Sequence, residues 1–138
     1  MYKPFIDRYR ESAAESGHAP ENLKVAVTGH AYISKTNQQA KLEFYLYHSY
    51  WHHLNLQHGV NKTFSRAKFE QVSGNETALF VGSSQQIIEK IMRQYEMFGH
   101  QRFMAQMDIG GMPYKKVAEN IERLATEIAP VIRKETRK

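Results

Sequence analysis

The sequence contains no cysteine among its 138 residues. This absence excludes a disulfide framework, zinc sites built on thiolates and catalysis by a cysteine nucleophile. No apolar run approaches the ~18 residues of a membrane span, and the amino terminus lacks the basic and then apolar layout of a signal peptide. We therefore expect stability from packing alone, no membrane partner and a cytoplasmic location.

Acidic residues are fewer than basic ones, 14 against 19, which gives a formal net charge of +5. Part of the excess lies at the carboxyl terminus, where cations complement the dipole of a helix end, in Arg133, Lys134, Arg137 and Lys138. A nucleic-acid groove would need basic residues interleaved with exposed aromatic residues or a recognised motif, and the sequence shows neither. Nucleic-acid binding is therefore the least favoured of three function hypotheses.

The length and the hydrophobic fraction of 41% suit one globular domain over residues 1–138. Apolar periodicity and capping residues predict its helices. These helices run from Lys3 to Ser16, from Thr36 to about Gln57 with Gly59 as the stop, from Ser65 to Val72, from Ser83 to Phe98, and from Pro113 onward with a kink or restart at Pro130.

Two stretches have the composition of strands buried in a parallel sheet. They are Leu23 to Ile33 and Phe103 to Ile109, and in each of them one face turns polar toward the carboxyl end. Because α/β folds carry their sites at the carboxyl ends of strands, His30, Gln106 and Asp108 become site candidates. For His30, an imidazole satisfied by a neighbouring carbonyl or carboxylate is at least as good an interpretation.

Glycines mark the predicted turns. Gly110 and Gly111 follow the second strand and allow a tight turn with close approach by another molecule, and the free amides at the next helix start could hold an anion. Most such turns are structural, and the pattern is neither a P-loop nor a G-x-G-x-x-G fingerprint. Gly82 is predicted to turn the chain after the short apolar run Leu79–Val81.

The helix that starts at Thr36 is unusual because its aromatic residues wrap most of its circumference. We expect it to bury more than one face, in a core or a subunit interface. His48 and His52 lie four residues apart, with His53 and His58 nearby. That spacing lets two imidazoles share a metal, but a zinc site needs a third protein ligand and the H-E-x-x-H motif is absent. We interpret these histidines as structural or interface residues and predict no metal site.

The whole pattern resembles the carboxyl-terminal portion of the bacterial luciferase-like, flavin-dependent monooxygenases. The resemblance covers nearly all of the chain and rests on DRYRESAAESGHAPENLKVAV, VTGHAYISKT, ALFVGSSQQIIEKI, FGHQRFMAQMDIGGMPYKKV and TEIAPVIRKE. Departures are minor. Ser84 stands where the family often has proline, and Gln85 and Gln86 stand where it often has acidic residues.

The resemblance implies a (β/α)8 TIM barrel that uses reduced FMN and O2 to oxidise an aldehyde or another small organic substrate. The two predicted strands would be the seventh and eighth of that barrel. His30, Gln106 and Asp108 would face the flavin or substrate pocket, and Gly110 and Gly111 would border it. Their roles would be to position the isoalloxazine ring and to hydrogen-bond an oxygen intermediate or the substrate. No residue is assigned as catalytic.

A complete barrel takes about 250 residues, so this chain supplies the last two βα units and a partial barrel of parallel strands flanked by helices. We expect self-association to complete it, as a homodimer whose strands pair across the interface and cover exposed edges. Two hypotheses follow from the resemblance. The chain is either a segment of an FMN-dependent monooxygenase that holds FMN weakly alone, or a truncated, non-catalytic homodimerising module derived from that fold.

Overall fold

The computed structural model describes residues 2–55 and 64–137. In chain order it contains helix α1 (Lys3–Glu15), a 3-10 turn (Pro20–Asn22), strand β1 (Ala26–Ser34), helices α2 (Asn37–Asn55) and α3 (Arg66–Val72), strand β2 (Phe80–Ser83), helix α4 (Ser84–Phe98), strand β3 (Arg102–Gln106), helix α5 (Tyr114–Arg123), a π-helical turn (Leu124–Ile128) and helix α6 (Ala129–Glu135). The predicted helix end at Gly59 and His58 lie outside the described residues. None of the described helices is long and apolar enough to cross a membrane.

The three strands form a parallel sheet in the order β2-β1-β3, with β1 in the middle. The first half of β1 pairs with β3, which sets His30 beside Gln106. The second half pairs with β2, which sets Ala31 beside Phe80. The predicted α/β class with parallel strands flanked by helices is confirmed, and β1 has a neighbour along its whole length.

Strand β2 corrects two predictions, that the chain has two strands and that Gly82 turns it. Gly82 lies inside β2 and pairs with Ile33 of β1. Four residues are too few to show an alternation in the sequence. The strand forms because the second half of β1 would otherwise leave main-chain groups unpaired. Strand β3 is also shorter than predicted, since it ends at Gln106 and not at Ile109.

Helices cover both faces of the sheet. Helix α4 and the π-helical turn pack on the face formed by Val27, Ala31 and Ile33. Helices α2 and α3 pack on the opposite face, around Tyr32 and Val81. Helix α2 leads from β1 to β2, and α4 leads from β2 back past β1 to β3. Because right-handed crossovers that run in opposite directions place their helices on opposite faces, the strand order explains this arrangement.

The predicted helix starts at Thr36, Ser65 and Ser83 and the predicted helix end at Phe98 are confirmed, whereas α1 ends at Glu15, one residue before the predicted Ser16. Three hydroxyls accept a hydrogen bond from the main-chain amide three residues later, at 3.1 to 3.3 Å: Thr36 from Gln39, Ser65 from Lys68 and Ser83 from Gln86. Gly99 ends α4 with a left-handed φ of 58°. The predicted restart at Pro130 occurs in the first turn of α6, after the π-helical turn. Proline lacks the amide hydrogen that a continuous helix would need there.

Asn120 ties α5 to β1 and is 1% exposed. Its Oδ1 accepts from the main-chain amide of Ile33 at 2.5 Å, and its Nδ2 donates to the carbonyl of Lys116 at 2.8 Å. Asn120→Ala leaves the buried amide of Ile33 without this partner, so we expect a loss of ~1–3 kcal/mol in unfolding free energy. Urea unfolding followed by circular dichroism measures it.

The control for this prediction is Glu122→Ala, at an exposed position of the same helix. A surface change of this kind should stay within ~0.5 kcal/mol of the parent protein. If Asn120→Ala behaves like this control, the hydrogen bond to Ile33 does not hold α5 against the sheet.

Candidate functional site

A cavity of about 630 Å³ lies between β1, α2, α3 and the segment that leads into β2. We call it the histidine cavity. The described residues that line it are Tyr2, Thr28, Gly29, His30, His48, Trp51, His52, Phe64, Lys68, Gln71, Val72, Thr77, Ala78, Leu79 and Gln106. The volume falls within the ~300–1,000 Å³ that is typical of small-molecule sites.

Local sequence rules explain why these side chains meet. Alternation along β1 puts Thr28 and His30 on the face that α2 covers. The spacing of four residues puts His48 and His52 on one side of α2, above that face. Gly29 lets the segment before β2 cross β1 closely, because a Cβ built there would lie 2.5 Å from the carbonyl oxygen of Ala78.

The rings around the cavity are in contact with one another. The centroid of His48 lies 6.2 Å from that of His30 and 6.1 Å from that of His52. The Trp51 ring meets His30 edge-on at 4.6 Å, and the Phe64 ring stacks on His52 at 4.5 Å. The result is a wall formed largely by aromatic and imidazole rings.

Two imidazoles on this wall, those of His48 and His30, have a lowered pKa and favour the neutral form. Burial lowers the pKa of His48 to about 4, and repulsion from His30 and His52 adds to the effect. Burial also lowers the pKa of His30, although a hydrogen bond to Gln106 and the charge of Asp108 oppose the shift. Since an uncharged imidazole has one donor and one acceptor nitrogen, each of these rings is able to exchange hydrogen bonds with a neutral ligand.

Two of these nitrogens lack a partner. Within the described part of the chain, the buried Nδ1 atoms of His48 and His52 make no hydrogen bond. The side chain of His48 is only 5% exposed, so bulk water does not compensate for the missing bond. Buried polar atoms are normally hydrogen-bonded, so an unpaired nitrogen in a ring that lines a cavity calls for a partner such as a water molecule or a ligand atom.

A second cavity, of about 500 Å³, lies beside β3 and is called here the β3-edge cavity. It is lined by Thr28, Met104, Ala105, Gln106, Met107, Asp108, Val117, Ile121 and Leu124. It shares Thr28 and Gln106 with the histidine cavity. The two cavities therefore adjoin at the carboxyl half of the β1–β3 pair.

The structure brings three of the predicted site residues together. His30 lines the histidine cavity, Asp108 lines the β3-edge cavity, and Gln106 lines both. The pairing of His30 with Gln106 across the two strands is what places them side by side. Whether these residues bind a ligand stays a prediction.

Gly110 and Gly111 have a different environment. Both have a left-handed φ, of 70° and 69°. A Cβ built on Gly110 would overlap the carbonyl oxygen of Tyr47 and lie 2.6 Å from its carbonyl carbon. The group that approaches Gly110 closely is thus the main chain of α2, in the same protein chain. Gly110 therefore allows the turn after β3 to pack directly against the helix that carries His48.

Four residues that line the histidine cavity were not predicted as site residues: His48, Trp51, His52 and Phe64. Their positions on one side of α2 and next to α3 became informative only once α2 was known to cover the polar face of β1. Within residues 2–55 and 64–137, no three His, Asp or Glu side chains are placed to hold a metal ion.

Comparison with known proteins supports the resemblance seen in the sequence. The sequence model of the luciferase-like monooxygenase family matches residues 1–102. The chain therefore belongs to the luciferase-like monooxygenase family. A search of curated proteins found no match.

Among solved structures, the fold is similar to the crystal structure of the monooxygenase RslO1 from Streptomyces bottropensis, with a TM-score of 0.68 and 17% sequence identity. The match covers 94% of this chain and 37% of that chain, so this chain spans well under half the length of that structure. At this identity the likeness shows a shared fold.

Proposed function

We propose that this chain is the carboxyl-terminal segment of an FMN-dependent, luciferase-like monooxygenase that oxidises a small organic substrate with reduced flavin and O2. Residues 1–138 would form a single partial barrel domain in this proposal. One observation carries it: two cavities share the wall formed by Thr28 and Gln106. A monooxygenase must hold a cofactor and a substrate next to each other. In parallel α/β sheets, that place is the carboxyl end of the strands.

The β3-edge cavity fits the isoalloxazine part of FMN. Met104 and Ile121 are apolar, 45% and 53% exposed, and suited to contact a ring face. The Gln106 amide is able to donate and accept, and the Asp108 carboxylate to accept from a ring N–H. No lysine or arginine of the described chain lines this cavity. The phosphate would need groups from elsewhere, so the isolated chain should hold FMN weakly. When bound, the reduced flavin supplies the electrons that activate O2.

The histidine cavity would receive the substrate. His30 lies at its boundary with the flavin side, beside Gln106 and near the charge of Asp108. Its neutral imidazole would hold the substrate in place through one hydrogen bond, while Trp51 and Phe64 exclude water from the contact. Exclusion of water strengthens each polar interaction inside a site.

Titration with FMN tests the proposal. We expect saturable quenching of FMN fluorescence and an increase in melting temperature on adding FMN. Gln106→Ala should weaken the binding ~10-fold, as expected for the loss of one or two hydrogen bonds. Gln85→Ala, at an exposed position of α4, is the control and should bind FMN like the parent chain. Absence of both quenching and thermal shift at millimolar FMN would contradict the proposal.

A second candidate function is a non-catalytic homodimerising module. Strand β3 has β1 as its neighbour on one side, and no described strand pairs with its other edge. Exposed apolar side chains, Met104, Ile121 and the 85% exposed Tyr114, lie on β3 and α5. Free edges of this kind favour pairing with another chain. Light scattering after size exclusion would then give twice the 16.1 kDa of one chain, and a stable monomer would exclude this candidate.

A further inference from the structure

The histidine cavity has walls suited to a flat aromatic molecule. Trp51 and Phe64 face it from α2 and from the segment before α3, and His30 and His52 add two more aromatic rings. Stacked and edge-on contacts between rings add to the stabilisation that burial of their area gives. A flexible aliphatic chain would gain the burial but not these oriented contacts.

Of the two unpaired imidazole nitrogens in the rings that line this cavity, that of His48 belongs to the more buried side chain. The Nδ1 atom of His48 is buried and makes no hydrogen bond within the described residues. The residue is only 5% exposed. This ring contacts both neighbouring histidines and the Phe64 ring, with its centroid 4.9 Å from the latter. A ligand ring that lies against Phe64 therefore brings its substituents close to His48.

The charge of the lining restricts the ligand further. Among the described residues, no aspartate or glutamate lines the cavity, and the exposed Lys68 is the one permanently charged side chain that does. A cationic ligand would have no counter-charge there. A hydroxyl group satisfies the Nδ1 atom of His48 in either tautomer, because it both donates and accepts, whereas a carbonyl oxygen only accepts.

We propose that the histidine cavity binds a neutral aromatic alcohol of the phenol class, with its ring against Trp51 and Phe64 and its hydroxyl hydrogen-bonded to Nδ1 of His48. The assignment of phenols as the substrate class rests on the proposed monooxygenase function. Binding of such a molecule to the histidine cavity requires no flavin.

Three small molecules of one carbon skeleton test the proposal. Thymol has both the aromatic ring and the hydroxyl, p-cymene has the ring alone, and menthol has the hydroxyl on a saturated ring. Trp51 is the single tryptophan of the chain and lines the cavity, so quenching of its fluorescence reports binding at this place. Without flavin, thymol should bind at least tenfold more tightly than either analogue.

Variants locate the hydrogen bond. His48→Phe keeps an aromatic ring of similar size and removes the nitrogen, so thymol should bind about tenfold more weakly while the affinity for p-cymene is unchanged. His53→Phe, at an exposed position of the same helix, is the matched control and should bind all three molecules like the parent chain. If His48→Phe does not fold, the order of affinities in the parent chain still decides the proposal.

Equal affinities for the three molecules, or tighter binding of menthol, would overturn it. The two proposals fail separately. Binding of thymol without any binding of FMN would contradict the proposed monooxygenase function and support the proposed aromatic binding site. Binding of FMN without binding of thymol would leave the function and remove the substrate class.

Discussion

Gly110→Ala is expected to lower the unfolding free energy by ~3–5 kcal/mol, because it combines overpacking with a strained backbone. The added methyl would overlap the carbonyl group of Tyr47, which belongs to the main chain of α2 and has no rotamer that relieves the clash. The φ of 70° adds a penalty for any residue with a Cβ. Denaturant unfolding followed by circular dichroism measures the change.

Gly111→Ala is the matched control. Its φ of 69° is almost the same, but its Cβ would lie 3.9 Å from the ring of Tyr50, an ordinary contact. We therefore expect only the backbone penalty, ~1–2 kcal/mol. The difference between the two variants isolates the overlap with α2. Equal losses of unfolding free energy in the two variants would show that α2 is free to move away from the turn. In that case the turn does not fix the position of the histidine cavity.

Acidification is expected to destabilise the protein between about pH 6.5 and pH 4. The pKa of His48 falls from 6.5 to about 4 on folding, mainly through burial. The unfolded chain therefore binds the proton first, and the stability that the neutral ring provides is present above pH 6.5 and is lost as the pH falls. One pKa unit corresponds to about 1.4 kcal/mol, so the step from pH 7 to pH 5 should remove ~2 kcal/mol.

Burial also lowers the pKa values of His30 and His100, so acidification should destabilise the protein through these two residues as well. The pKa values of Glu43 and Glu70 are lowered from 4.5, so their contribution is lost mostly below that pH. Urea unfolding at pH 7 and pH 5 tests the role of His48. His48→Phe should lose ~2 kcal/mol less than the parent over this interval, and His53→Phe should match the parent. An equal loss in all three proteins would mean that His48 is protonated in the folded state near its ordinary pKa.

Local signals predicted most of the secondary structure. Helix starts at Thr36, Ser65 and Ser83 depend on hydroxyls that bond to amides three residues away, so a short stretch of sequence contains the whole interaction. No such local interaction explains strand β2. Its four residues become a strand because β1 lies next to them, and that neighbour is distant in the sequence.

Some residues of the candidate site are likewise predicted by local signals, and others are not. The polar alternation that identified His30 and Gln106 is local, and the register of β1 and β3 brought the two together. The roles of Gly110 and His48 depend on α2, and the strand order β2-β1-β3 decides which face of the sheet α2 covers. A glycine with positive φ shows that something approaches closely, but only the packed structure shows that it is the carbonyl of Tyr47.

The central position of β1 has a consequence for synthesis of the chain. Both neighbours of β1 follow it in the sequence, and β3 ends only at Gln106. At ~5–20 residues per second, the roughly 50 residues between the ends of β1 and β2 take ~3–10 s to add. For that time the β-branched and aromatic segment AVTGHAYIS lacks both of the strands that flank it in the folded sheet. This segment is therefore the one that a chaperone acting during translation would be expected to bind.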